Sequence, residues 1–365
     1  MSTRYRIFVS VTPGLEHLLE QELHELGVRG GDRLEGGLEL GGERRTLWRV
    51  CLCSRLAESA RVRLGKAFTA RTFDELRAGL LRLPWAAYLP RGSALPEVRV
   101  TCHRSRLYHS GAVAERVLYA LAERLDAPGE TSPELPRIHL RLERDRVQVS
   151  VDASGELLHR RGYRRHVGEA PMRETLAAAC LRAAGYDGTR PLWDPFCGAG
   201  TLPLEALGLA TGTRPGAGRS FAFEAWPTHD AAGFAELRAG LPSPCPAPAS
   251  VLGSDVDADA LEAASSNAAA AGLAPELRQG DFAAVADAVP AGTMIVTNPP
   301  YGHRLGGEGE VYRRLGDLLR EREDLGPVFM LTGRRGLSRA TGLPWEPVLA
   351  FSNRGLPVRL MRLAR

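Results

Sequence analysis

Lysine is almost missing from this chain. One residue, Lys66, accounts for it among 47 basic side chains, the rest being arginine, and Ala, Gly and Leu are abundant. A GC-rich genome produces that bias without any functional cause, so arginine richness by itself assigns no partner. Cysteine is also scarce. Its six positions, 51, 53, 102, 180, 197 and 245, repeat no Cys-x-x-Cys pattern, which excludes a disulfide framework and reads as reduced cytosolic thiols. Cys51 and Cys53 have neither a second pair nor a histidine at ligand spacing, so they are expected to be structural and no metal site is expected. No stretch approaches the ~20 apolar residues that cross a bilayer. The first ten residues hold no apolar run behind positive charge, so the sequence predicts a cytoplasmic protein, neither secreted nor membrane-embedded. A strong excess of one charge is absent too: a net +4 permits a nucleic-acid partner without requiring one.

What is present is a chain of 365 residues, 44% hydrophobic and 25% charged. Those are the proportions of a folded globular protein, and the length calls for more than one core. Alternation over Arg4–Val11 predicts a half-buried strand, followed by a helix from about Leu15 to Leu26 that Gly27 closes. Residues Ala60 to Phe68 alternate again, Thr72-Phe73-Asp74-Glu75 opens a helix with an N-cap signature, and Val98-Arg99-Val100 starts another strand. A helix over about Gly111–Leu125 leads to two strands, Ile138–Leu142 and Val147–Val151, joined by the charged turn Glu143-Arg144-Asp145-Arg146. The first ~150 residues are thus α+β, without a visible catalytic cluster.

From Asp152 to Glu169 the sequence turns polar, with too little apolar content to bury itself, and the domain boundary is placed here. Arg160, Arg161, Arg164 and Arg165 surround Tyr163, a mixture that contacts phosphates and stacks on bases. A solvated linker has the same composition, and the segment by itself does not separate the two.

Beyond Ala170 strands alternate with helices, which predicts a parallel sheet covered on both faces. The short strand Pro191-Leu192-Trp193 ends in Asp194-Pro195-Phe196-Cys197-Gly198-Ala199-Gly200-Thr201, and a helix follows to Ala210. Strand, glycine turn and helix form the nucleotide-binding arrangement, in which Gly198 and Gly200 let bare backbone lie against a cofactor and Asp194 accepts hydrogen bonds from it. A second strand, Val251–Ser254, delivers Asp255 to the place that holds ribose hydroxyls. The interval between the two acidic residues exceeds the ~20 residues of a dinucleotide fingerprint, the excess being a Pro/Gly-rich insert over about Thr211–Ala249, so a nicotinamide dehydrogenase is disfavoured. A third strand near Pro275–Arg278 leads to Asp281, placed to accept from an adenine amine.

Directly after the apolar strand Met294–Thr297 stands Asn298-Pro299-Pro300-Tyr301. An amino nitrogen conjugated to a base is a poor nucleophile because its lone pair is delocalised into the ring. The Asn298 side-chain oxygen and the Pro299 carbonyl can both accept from such an amine, drawing it toward sp³ geometry. Paired prolines stiffen the loop, and Tyr301 offers a face on which an extruded base stacks.

With these motifs in place the chain resembles the THUMP-containing RNA methyltransferases that make N2-methylguanosine, above all the bacterial 23S rRNA guanine methyltransferase branch. Thr12-Pro13-Gly14-Leu15-Glu16, Ser105-Arg106-Leu107-Tyr108-His109, Val151-Asp152-Ala153-Ser154-Gly155, Ala170-Pro171-Met172-Arg173-Glu174-Thr175 and the insert's Trp226, His229 and Asp230 extend the resemblance along nearly the whole chain. It implies an α/β protein: a ferredoxin-like and RNA-binding THUMP region over 1–155, a basic linker over 156–169, and a seven-stranded Rossmann-like methyltransferase domain over 170–365. The implied cofactor is S-adenosylmethionine, with Pro171, Arg173 and Thr175 near its methionine end. The cofactor set then comprises those three with Asp194, Phe196, Cys197, Gly198, Gly200, Thr201, Asp255, Val256, Asp281, Phe282 and Asn298, and the catalytic set is Asn298, Pro299, Pro300 and Tyr301. His303 stands where the family pattern has Glu, which bears on target recognition. RNA contacts are expected from Arg104, Arg106, Arg160, Arg161, Tyr163, Arg164 and Arg165. Longer members of the branch carry a second methyltransferase domain; a single activity is expected here, with rRNA or tRNA as partner, no membrane and no obligate protein partner. DNA adenine or protein-amide methylation and an RNA-binding scaffold with little turnover are the alternatives.

Overall fold

Alternating side chains build the first sheet of the computed structural model, which describes residues 4–164, 172–243, 246–247, 249–300, 308–333, 336–353 and 355–364. Its strands are β1 (Tyr5–Ser10), β2 (Asp32–Leu34), β3 (Gly37–Gly42) and β4 (Ser59–Thr69). After the minor β5 (Leu95–Pro96) come β6 (Val98–His103), the minor β7 (Thr131–Ser132), β8 (Ile138–Glu143) and β9 (Arg146–Asp152). The two minor strands pair only with each other, and the other 7 run in the order β2-β3-β1-β4-β9-β8-β6. All neighbours are antiparallel except β6 and β8. Ile7, Val9, Val62, Leu64, Leu140, Val149 and Val151 turn to one face and share a core with Leu19, Leu23, Val50, Val117 and Leu121 of the helices. The residues between them, Phe8, Arg61, Arg63, His139 and Arg99 among others, turn to the opposite face.

The second sheet comprises β10 (Leu192–Asp194), β11 (Val251–Asp255), β12 (Glu276–Gln279), β13 (Met294–Thr297), β14 (Val328–Thr332), β15 (Trp345–Asn353) and β16 (Leu356–Leu363). Its order is β12-β11-β10-β13-β14-β16-β15. The first five strands are parallel, and β16 is antiparallel to both its neighbours. Every residue of β10, β13 and β14 is buried, as strands covered on both faces must be. β15 and β16 form the antiparallel hairpin that ends the sheet. Between β10 and β13 the direction of winding reverses, and in such sheets ligands bind outside the carboxyl ends of the strands at that point.

Several elements were not expected from the sequence, the strands β2 and β3 among them, and two bear on how the regions pack. The helix Arg44–Cys53, which buries Leu47, Trp48, Cys51 and Leu52, gave no signal beside its three arginines. The insert is also more than an excursion from the second sheet: it carries the helix Ala231–Gly240 and packs onto the first sheet's helices. Trp226 meets Tyr88 edge-on at 4.9 Å, and Phe234 and Phe223 pack on Trp48. Asp230 caps that helix through the Gly233 amide and accepts from Arg44. At the other end of the molecule the Thr12-Pro13-Gly14 turn runs against β15. Gly14 has φ +95, and a Cβ there would lie 2.8 Å from the Ala350 carbonyl oxygen, so only glycine fits.

Candidate active site

A cleft of about 960 Å³ opens at the carboxyl ends of β10, β11 and β13, in the size range of cofactor sites. Asp194, the last residue of β10, is 1% exposed. Its Oδ1 accepts from the Phe196 amide at 3.2 Å and from Thr297 Oγ1 at 2.6 Å, the latter tying β10 to β13 across the point of reversal. Burial pushes its carboxyl up to about 7, with the nearby Asp255 charge adding to the rise and the two hydrogen bonds opposing it.

The glycine turn does two separate jobs. Gly198 has φ +51, and a Cβ there would meet nothing within 4 Å among the described residues, so its bare backbone faces the cleft. Gly200, with φ +81, sits where a Cβ would come 3.1 Å from Ala264 Cβ; its smallness serves helix packing rather than cofactor contact. Cys197 beside it is buried, which pushes its thiol far up, so it acts as a small apolar residue. Asp255 receives the Gly198 amide at 2.9 Å on Oδ2 and the Asp257 amide at 3.1 Å on Oδ1. Next to it Val256 lies 63% exposed within the cleft lining. Asp281 caps the short helix Phe282–Ala286 through the Ala283 amide and accepts from Arg314 at 2.6 Å. Phe282 packs on Phe196 with centroids 5.1 Å apart, and the Arg314 guanidinium lies over the Phe282 ring at 5.2 Å.

Asn298 follows β13 at the lip of the cleft, with Pro300 beside it. Its Oδ1 is buried and has no hydrogen-bond partner among the described residues. Such an acceptor costs about 1–3 kcal/mol, a sign that a donor from outside completes it. Pro299 is buried. Tyr301 and His303 lie outside the described residues, as do Pro171 and Arg165.

Other expected site residues are placed elsewhere. Thr175 is buried and donates to Glu58 Oε1 at 2.6 Å, and Arg173 pairs with the same carboxylate at 3.5 Å. Both converge on Glu58 at the start of β4, not on the cleft, because that carboxylate also receives His159 and needs compensation. Met172 lines the cleft in their place. Neither Met172 nor Arg314 was legible in the sequence, since neither carries a spacing signal; the helix Glu308–Glu321 that presents Arg314 was the one available clue.

The linker corrects a second expectation. Arg161 is 4% exposed and pairs with Glu205 at 3.1 Å, donating also to the Leu158 and Arg55 carbonyls. Arg164 binds Glu174 at 2.9 Å, the Met172 carbonyl and Thr201 Oγ1, and the Tyr163 hydroxyl is buried. Arg161 and Arg164 therefore fasten the linker to the second sheet's helices instead of facing a nucleic acid, while the Tyr163 hydroxyl has no hydrogen-bond partner among the described residues. Arg160, Arg104 and Arg106 are exposed.

The Asp194 shift predicts a pH effect. The buried carboxyl binds its proton more tightly folded than unfolded, so stability falls as pH rises from about 4 toward 7 and is flat above. Asp194→Asn removes that contribution, so the melting-temperature difference between the variant and wild type, without cofactor, should shift in the variant's favour from pH 4 to 7. A difference that is constant with pH would contradict it.

Residues 6–62 match the family described as the RlmL ferredoxin-like domain, and residues 161–342 match UPF0020, the RMKL-like methyltransferase domain. The ribosomal RNA large subunit methyltransferase K/L of Syntrophotalea carbinolica is 34% identical over 99% of this chain, which spans only 54% of that relative's length. A Synechocystis sp. protein carrying the provisional name of RNA methyltransferase is 33% identical over 97% of this chain and 95% of its own. The crystal structure of SMU.472, provisionally a methyltransferase and complexed with SAH, covers 100% of this chain and 98% of its own at 27% identity and a TM-score of 0.87.

Proposed function

This chain belongs to the family of RMKL-like methyltransferases that carry an RlmL ferredoxin-like domain, and from that premise we propose that it methylates an exocyclic amine of a base in RNA. The target is N2 of guanine, as the family resemblance implies, in large-subunit rRNA, the substrate for which the Syntrophotalea carbinolica relative is named. Residues 1–155 serve the RNA and residues 170–365 the chemistry, in the cytoplasm.

The cleft fits S-adenosylmethionine. Asp255 ends the second strand with a carboxylate for ribose hydroxyls, exposed Val256 and the Phe196–Phe282 pair supply apolar faces for an adenine, and Gly198 leaves its backbone bare. When bound, that cofactor supplies an activated methyl group on a sulfonium. The observation that carries the reading is the buried, unpartnered Asn298 Oδ1. It accepts from the base amine and turns the nitrogen lone pair toward the methyl carbon; Pro299 and Pro300 hold it rigid. The nitrogen–carbon bond forms as the carbon–sulfur bond breaks, the sulfur keeps the electron pair and the amine releases one proton.

Transfer of labelled methyl to total RNA, followed by nucleoside analysis, tests this. N2-methylguanosine made by wild type and not by Asn298→Ala supports it, while label in N6-methyladenosine, in protein or nowhere overturns it.

A further inference from the structure

The outward face of the first sheet holds a second hollow, of about 400 Å³. Strand register builds it. Arg63 on β4 stands opposite Ser150 on β9, Ser150 opposite His139 on β8, and His139 opposite Arg99 on β6, in one row across four strands. Arg61 and Arg141 flank the row. The lining contains no carboxylate among the described residues.

Most of these guanidiniums are already engaged: Arg63 with Glu39 at 3.1 Å, Arg141 with Glu143 at 2.8 Å, and Arg99 loosely with Glu97 at 4.0 Å. Arg61 is different. Its Nε is buried without a hydrogen-bond partner, and it joins no ion pair among the described residues. The carboxylate opposite it, Asp152 on β9, attracts it and offsets part of its burial, but gives its Oδ1 to the Ser154 amide and hydroxyl and forms no ion pair with Arg61 among the described residues. Burial pulls Arg61 below its ordinary range, and burial together with Arg61, Arg137 and Arg99 pushes His139 down to about 3, so the ring is neutral between cations. A half-buried guanidinium whose Nε has no acceptor is costly in an isolated protein, and arginines on three sides of a concavity match the oxygens of a phosphate.

We propose that this hollow is a phosphate site that grips the backbone of the RNA substrate, apart from the methyl-transfer cleft; it rests on the RNA reading above. It replaces the buried linker arginines as the anchor, and like other backbone contacts it positions the RNA without reading its sequence.

The test uses the full chain, a fluorescent large-subunit rRNA transcript and, separately, inorganic phosphate. Arg61→Gln and Arg99→Gln should each weaken RNA binding roughly tenfold or more and lower the slope of log affinity on log salt by about one. KM for RNA should rise with kcat and cofactor affinity held. Thermal stability of Arg61→Gln should match or exceed wild type, whereas an arginine with only a structural role would lower it, and Arg61→Lys should restore most of the binding. Wild type that binds RNA no better than the two glutamine variants overturns the phosphate site alone. Wild type that neither binds nor methylates RNA overturns the RNA reading beneath it. Saturable inorganic phosphate that RNA does not displace makes the hollow a free-anion site and overturns the proposal as well.

Discussion

Asn298→Ala is expected to lower kcat for methyl transfer by roughly 10²–10³-fold while cofactor affinity stays near wild type. Asn298 Oδ1 lies buried at the lip of the cleft with no partner among the described residues. Its contact with the amine strengthens as the nitrogen gains positive charge, so the loss falls on the transition state and appears in kcat rather than in binding. Asn298→Asp keeps an acceptor at the same place and should retain more activity than alanine. Single-turnover methylation with calorimetric titration of S-adenosylhomocysteine separates the two quantities. Unchanged kcat in the alanine variant would remove Asn298 from the chemistry, and a collapse of cofactor affinity alone would recast it as a binding residue.

Glu205→Ala should be the most damaging single change to stability, at about 3–5 kcal/mol. Glu205, 3% exposed, holds Arg161 at 3.1 Å and Arg55 at 3.2 Å. Those two arginines come from the linker and from the N-terminal region, and Arg55 continues to the Gly208 carbonyl at 2.5 Å. Removing the carboxylate strands two buried guanidiniums at the joint where linker, first region and second sheet meet. Glu205→Gln keeps an acceptor and should cost less. Urea unfolding followed by two probes reads the effect and shows whether the two regions still melt together. A loss below about 1 kcal/mol would mean that water or rearranged carbonyls satisfy both arginines.

The contrast between these two sites explains what could be read from sequence. Asp194, Asp255, Asp281 and Asn298 were legible because each ends or follows a short strand. Chain order along a parallel sheet fixes which strand end meets the cleft, and the structure brings all four to its lining. The linker's charges by themselves leave RNA contact and a solvated linker open, the family resemblance favours RNA contact, and the structure instead ties Arg161 and Arg164 to the protein. Arg161 is a buried residue only because Glu205, 44 positions away, stands opposite it, and Arg164 only because Glu174 and Thr201 do. Thr175 left the expected cofactor set for a related reason, since its partner Glu58 is 117 positions away.

By itself, then, the sequence determined what depends on short-range periodicity and strand ends: the α/β class, the parallel sheet, and the acidic and Asn-Pro-Pro positions of the cleft. Only the tertiary structure decided which polar residues are buried, that the insert clamps the two sheets' regions together through Trp226 and Phe234, and that Arg61, Arg99 and His139 meet in one hollow. Those outcomes depend on charge and ring pairings between distant segments. The energy of a pair is set by separation in space and by the water excluded around it, neither of which is written into the spacing of residues along a chain.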